Sequence, residues 1–560
     1  MKIFSRLFNN ESQGIASAAI ILGAAALASR FLGMIRERLL VSAFGAGNNL
    51  DAYFAAFQIP NFAFNLLISA TLSVAFIPVF CEYLNRDKEE AWRIASSILN
   101  LTIIIMGALS FLLFFFAPWL VRLISPGFSG EKYTLTVNLT RILLFSPWLF
   151  AISAVFSNIL NSFRSFILVA LAPLIYNLAI IAGILFLAPI WGIYGVVAGV
   201  IGGALLHILI QVPGAKKFGF GWKLIADFKH RGVRQILKLI VPRILGLDIS
   251  QVSQLIGTII GSTLVVGSVA IFNLVYNIEA VPIGVFAVSF VVSVFPNLSR
   301  AAAQNNRHDF VKDFSYTARQ ILFFLIPLTI LTFVFRAQIV RLIIGARNLS
   351  WDETRLAAAT LAIFASSFIF QGIAPLFSRA FFALKNTVIP LITSLVSIAI
   401  NVGATYLFLN VLGQNISFSR AIISFLKLDG LGDVRILALS FGFSVASIFN
   451  ALVLFVILRK KFGAMDGKRI LFAFAKYLVA GLAAGIVGYA ALYFIEPFLN
   501  TFTFLGILVQ LIFATILASA VFTLIALLLR SEEMISLISA IKRKMTASVK
   551  LLGMSETEEL

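Results

Sequence analysis

SRFLGMIRERLLVSAFGAGNNLDAYFAAFQIPNFAFNLLISATLSVAFIPVF, residues 29–80, puts three arginines and an aspartate beside a long apolar run. A helix needs about 20 mostly apolar residues to cross a hydrocarbon core of about 30 Å, and residues 52–79 meet that length. Arg30 lies at the edge of the preceding apolar run, 14–33, where an arginine at mid-bilayer costs about 3 kcal/mol. It therefore has to face a cavity or a partner. On a straight helix Arg30 and Arg36 point about 120° apart. A break at Gly33 would let both reach one cavity. Guanidinium groups grip pyrophosphate oxygens in forked pairs, so this pattern points to an anionic diphosphate headgroup. The competing reading is that the arginines snorkel from a helix end and that Asp51 caps the start of the second span.

The rest of the chain shares this solvent. Of its 560 residues 60% are hydrophobic and 12% charged, with 56 phenylalanines and a mean hydropathy of +1.00. A water-facing surface needs roughly a quarter of its residues charged, so the solvent is lipid. The formal charge of +20 would suggest nucleic acid in a soluble protein. Here the charge sits in alternating loops and reads as topology, with no nucleic-acid partner. The single cysteine, Cys81, excludes an intramolecular disulfide framework.

About fourteen candidate spans follow from the length criterion: 14–33, 52–79, 96–120, 138–161, 167–188, 192–212, 236–262, 266–295, 316–338, 356–382, 387–409, 436–458, 470–496 and 503–529. The first is long and lacks a clean cleavage site, so it is expected to be retained. One set of loops is rich in Lys and Arg: Arg86, Lys88 and Arg93; Lys216 to Arg234; Arg300, Arg307 and Lys312; Arg459 to Arg469. The other set is poor. The bias toward positive charge inside makes the first set cytoplasmic and, with an even span count, both termini cytoplasmic. The expected place is a bacterial inner membrane, with membrane lipids as the surroundings.

The halves echo each other at a separation of about 220 residues. Phe76-Ile-Pro78 matches Phe295-Pro296, Arg122 matches Arg341, Phe156-Ser157 matches Phe377-Ser378, and Asn177 matches Asn401. Six spans separate each pair, so the repeats run in one direction, as in parallel-repeat transporters. The fold class is all-α and polytopic: a six-helix lobe over 1–230, a second over 231–462, two added helices over 463–531 and a cytoplasmic tail over 532–560. Residues 411–433 interrupt the second lobe as an outward-facing insertion with room for a short interfacial helix.

No nucleotide loop, dinucleotide fingerprint, zinc-protease helix or hydrolase elbow occurs. An ion gradient or the membrane potential is the expected energy source, and no cofactor is expected apart from a coupling monovalent cation. Buried polar candidates include Asp248, Gln251, Ser253 and Gln254, then Asn273, Asn277 and Glu279, then Gln371, Asn401 and Lys476; interhelical hydrogen bonds account for such residues equally well.

Ser29-Arg30-Phe-Leu-Gly33-x-x-Arg36, Phe44-Gly45-Ala-Gly47, Asp51-Ala-Tyr-Phe54 and Ile59-Pro60-Asn61 resemble the signature of the lipid II flippases, the MurJ/MviN family. The likeness extends through Ser289–Ser299 and Phe377–Leu384. It implies two lobes around a cationic cavity, a groove for a lipid tail, and transport of undecaprenyl-pyrophosphate-linked glycopeptide (lipid II) by a monomer that is not an enzyme. Arg30, Arg36 and Asp51 match the family's functional positions. Phe64 and Asn65, and also Asn277, stand where members often carry arginine, so Asn277 is the substrate-contact candidate in the eighth span. The resemblance also implies a cation site near the seventh and eleventh spans, for which Asn401, Thr405 and Asp248 supply oxygens. Three alternatives stay open: an exporter of another polyprenyl-linked glycan or of drugs, a membrane glycosyltransferase, and a non-transporting scaffold for wall assembly.

Overall fold

The computed structural model describes residues 15–65, 72–244, 249–414, 416–463 and 465–539. Regular structure among them is helical throughout. Ten helical stretches are long and apolar enough to cross a bilayer. The count is eleven if Trp351–Ala365 and Phe368–Ala383, bent by 41° at their junction, form one span. The other expected spans, 14–33, 52–79 and 236–262, run into residues outside the described ones. The chain is thus a multi-pass helical membrane protein.

It divides into two compact units, Met1–Leu274 with Ile343–Glu353, and Val275–Leu342 with Thr354–Leu560. The first unit holds α1 (Ile15–Phe44), α2 (Asn48–Phe64), α3 (Leu72–Arg86), α4 (Lys88–Ile124), α5 (Gly130–Leu143), α6 (Phe145–Ser162), α7 (Phe166–Ala182), α8 (Ile193–Leu209), α9 (Arg231–Ile244) and α10 (Ile249–Gly261). α11 (Ser268–Pro282) starts in it. Phe76, Phe80, Ile94, Leu101 and Val155 fill its main core. Asp87 starts α4 by accepting the amides of Glu89 at 2.8 Å and Glu90 at 3.3 Å, the usual satisfaction of first-turn donors.

α1 differs from expectation. It is helical without interruption through Gly33 as far as Phe44, so the hydropathy boundary at residue 33 is not a helix boundary. Hydropathy falls at Arg36, Glu37 and Arg38, but all three are good helix formers. The turn into α2 needs glycine at Gly45, whose φ is +63°; a Cβ there would also crowd the Asn348 backbone. Asn348 in turn donates to the Ser42 carbonyl at 2.8 Å.

The second unit continues with α12 (Val288–Ala303), α13 (Arg307–Val334), α14 (Arg336–Ile343), α15 (Trp351–Ala365), α16 (Phe368–Ala383), α17 (Val388–Gly413), α18 (Ser417–Phe425), α19 (Leu437–Phe462), α20 (Gly467–Ile495) and α21 (Phe504–Leu528). A π-helical turn, Ile283–Ala287, joins α11 to α12. Ala480, Ala484, Ala514 and Ala518 let α20 and α21 approach closely, and both helices share a core with Ile326 and Phe335. Within the 411–433 insertion α18 is the short helix, and Arg355 anchors the following turn through the carbonyls of Lys427 and Asp429, both at 3.1 Å. Beyond α21, Glu532 accepts from Arg469 at 2.6 Å and from Arg319 at 3.0 Å, while Glu533 bonds Arg319 and Tyr477.

Candidate substrate site

α1 brings Arg36 to α7. Its Nη1 donates to Asn177 Oδ1 at 3.1 Å and its Nη2 to Glu37 Oε1 at 2.6 Å. Asn177 is itself held: its Nδ2 donates to Ser29 Oγ at 3.1 Å and to the Pro173 carbonyl at 3.1 Å. The amide therefore presents its oxygen to the arginine, and a guanidinium in an apolar helix gets a fixed direction. Arg30 is half-buried on the same helix. Because α1 is unbroken, Arg30 and Arg36 leave it on faces about 120° apart.

Asp51 plays a role the sequence reading did not foresee. It does not cap its own helix. Its Oδ2 accepts from Lys132 Nζ at 2.6 Å and from the Gly267 amide at 2.8 Å, and its Oδ1 accepts from the Ala270 amide at 2.8 Å. The carboxylate thus caps the start of α11 and pairs with a lysine on α5, tying three helices. It is 1% exposed. A second tie lies about two helix turns further along α2, where Gln58 and Gln254 both donate to Asn273 Oδ1, at 3.3 and 3.0 Å.

Phe64 stands against Phe150 with ring centroids 5.8 Å apart, and Phe150 against Tyr176 at 5.0 Å. An aromatic chain therefore occupies the position where an arginine was expected by resemblance. Asn277 is half-buried on α11 in the second unit.

In the second unit Asn401 and Thr405 are 2% and 1% exposed on α17, and Thr405 Oγ1 donates to Asn401 Oδ1 at 3.4 Å. Gly442 on α19 lies against them; a Cβ there would stand 2.8 Å from the Asn401 carbonyl oxygen and 2.9 Å from Oδ1. Asp248 lies outside the described residues. Among those described, no group of three His, Cys, Asp or Glu side chains converges.

Glu37, Lys132 and Gln58 were missed in the sequence. An Arg-Glu neighbour pair inside an apolar helix was a visible signal for Glu37. Nothing local marks Lys132.

Residues 40–514 match the family model described as "Lipid II flippase MurJ". The chain belongs to the MurJ lipid II flippase family. Among MurJ relatives, a probable lipid II flippase of Borreliella burgdorferi is 27% identical over 404 residues, 71% of this chain and 80% of that protein. The lipid II flippase of Burkholderia cenocepacia is 25% identical over 444 residues, 78% of this chain and 82% of that protein. A solved MurJ structure in an inward closed conformation has a TM-score of 0.69 at 23% identity, covering 90% of this chain and 99% of that one. An inward-facing multidrug resistance MATE family transporter of the MOP superfamily has a TM-score of 0.61 at 17% identity, covering 78% of this chain and 96% of that one. Both likenesses are of fold, and they place the chain's helices in the transporter architecture that MurJ shares with MATE proteins.

Proposed function

We propose that this chain moves lipid II from the inner to the outer leaflet of a bacterial cytoplasmic membrane by alternating access, serving peptidoglycan synthesis. Family membership over residues 40–514 carries the reading. The repeat halves 1–230 and 231–462 act as the alternately opening lobes, 463–531 as the added helices and 532–560 as a tail, with both termini cytoplasmic. The protein works as a monomeric transporter, without catalysis.

Arg36 is the diphosphate ligand, joined by the long side chain of Arg30 from a helix face about 120° away. Its present anion, Glu37, is the adjacent residue, and the forked diphosphate offers two oxygens in place of one. Exchange of Glu37 for the headgroup lets the same arginine serve loaded and unloaded states. Asn277 contributes an amide contact to the glycopeptide. Asp51 acts by holding α2, α5 and α11 in register, in place of contact with substrate.

The reading extends to a coupling monovalent cation at Asn401 and Thr405. Their two side-chain oxygens are fewer than a hard cation takes, so backbone carbonyls or a carboxylate have to complete the shell. Equal transport with and without sodium, at constant membrane potential, would remove this part.

A second reading, export of another polyprenyl-linked glycan, is favoured by one observation: Phe64 sits in an aromatic chain where a cation was expected. Expression in a bacterium depleted of its lipid II flippase separates the two. Restored growth and wall synthesis support lipid II; failure of a well-expressed chain supports the second reading.

A further inference from the structure

Glu279 is the one acidic residue of α11 and is 1% exposed. One oxygen meets the Gln371 side chain, and Oε2 has no hydrogen-bond partner among the described residues. Gln371, on α16, donates from Nε2 to Ser367 Oγ at 2.8 Å; Ser367 Oγ reaches Ser444 Oγ at 3.2 Å, and Ser444 donates to the Ile363 carbonyl at 3.1 Å. A polar thread of four side chains thus runs through the second unit, and Tyr276, Phe364 and Phe443, close to its members in sequence, pack ring against ring.

Two members of this thread lie at helix irregularities. Glu279 is one turn before Pro282 and the π-helical turn Ile283–Ala287, a distortion that recurs at functional sites. Ser367 sits at the 41° junction of α15 and α16. The charged groups on the neighbouring helices are committed or distant. Arg379 covers the Phe295 ring at 5.1 Å, and it follows Gln371 by about 12 Å of helix. Arg355 holds the carbonyls of Lys427 and Asp429, beside Asp352 and Glu353 at the far end of α15. Arg300 lies in the last turn of α12, and Arg459, Lys460 and Lys461 in the last turn of α19.

With no cation paired to it among the described residues, a carboxylate buried in this way is too costly to stay ionised. A leucine or glutamine would fill the same place without that cost, so a purely structural role does not call for an acid. We propose that Glu279 is a proton-binding site, and that uptake and release of its proton change its contact with Gln371 and, through Ser367, bias the junction between α15 and α16. The balance is simple: Oε2–H forms on uptake and breaks on release, with no other bond changed. Linking this proton to substrate movement rests on the transport reading above; the occupancy of the site does not.

Infrared difference spectroscopy on the full chain in lipid reads the occupancy directly. At neutral pH a protonated-carboxyl stretch should be present and should vanish in Glu279→Gln at unchanged helicity; Glu279→Asp should keep a shifted band. No difference between wild type and Glu279→Gln in that region overturns the proposal, and so does loss of the band on adding sodium at constant pH, which would make the occupant a metal cation. In proteoliposomes an imposed pH gradient should change transport by wild type and leave Glu279→Gln unresponsive. A wild-type gradient response in Glu279→Gln overturns the linkage.

Discussion

Arg36 reaches across from α1 to Asn177 on α7, with Nη1 3.1 Å from Oδ1. Asn401, the residue that the sequence echo pairs with that amide, takes a threonine hydroxyl instead. Of the two asparagines that the sequence echo pairs, Asn177 thus accepts from a guanidinium and Asn401 from a hydroxyl.

The first prediction concerns this contact. Asn177→Leu removes the acceptor and leaves Arg36 with Glu37, so headgroup affinity should fall several-fold, while protein abundance stays near wild type. Glu37→Gln should act the other way and tighten binding of a soluble diphosphate probe, because the competing anion is gone. Probe affinities that do not differ between the two variants would mean that Arg36 does not meet the headgroup.

Asp51 predicts a stability effect in place of a binding effect. Removing one partner of a buried ion pair costs about 3–5 kcal/mol, and Asp51 also caps α11. Asp51→Asn should lower thermal stability in lipid markedly. Lys132→Gln should couple to it, with the double variant losing less than the sum of the singles. Additive losses would show that the 2.6 Å pair carries no shared energy.

Gly442 tests the amide-hydroxyl pair on α17. Gly442→Ala places a methyl against Asn401 and Thr405, and the two helices must separate to admit it. Stability should fall by about 1–3 kcal/mol. Any sodium dependence of transport should weaken with it. A variant as stable as wild type would contradict the packing described.

The end of the chain offers a pH test. The hydrogen bond from Arg469, then that from Arg319, holds the Glu532 carboxyl below the usual carboxylate range. A depressed carboxylate stabilises the fold above its unfolded-state pKa and loses that contribution as pH falls through the folded value. Glu532 is largely exposed, so the effect should be modest. Hydrogen exchange in residues 532–539 should rise on acidification in wild type, and in Glu532→Gln should be raised already at neutral pH with less pH response. A wild-type profile in that variant would mean that the Arg469 and Arg319 contacts of Glu532 do not hold residues 532–539.

The multi-pass helical character was legible because apolar length acts locally along the chain, and loop charge sets the expected orientation. Reporter fusions after residues 90, 225, 305 and 465 should read cytoplasmic, and one within 411–433 outside; a cytoplasmic reading from the insertion would overturn the orientation. The arginines were legible too, since a charge in an apolar run is costly wherever the helix goes. What stayed hidden depends on distant pairings. Asp51 resembles any first-turn acid until Lys132 and the start of α11 are brought to it. The run of α1 beyond Gly33 was hidden for another reason: hydropathy registers charge, whereas helix continuity depends on backbone propensity, which Arg and Glu satisfy.

The central claim is that Arg30 and Arg36 bind the diphosphate of lipid II, and complementation of a flippase-depleted bacterium tests it most directly. Arg30→Ala, Arg36→Ala and the double variant should fail to restore growth at wild-type membrane abundance. The Lys variants should restore it partly, because an ammonium keeps charge but loses the fork. Normal growth supported by the Arg30→Ala, Arg36→Ala double variant, at wild-type abundance, would contradict the account.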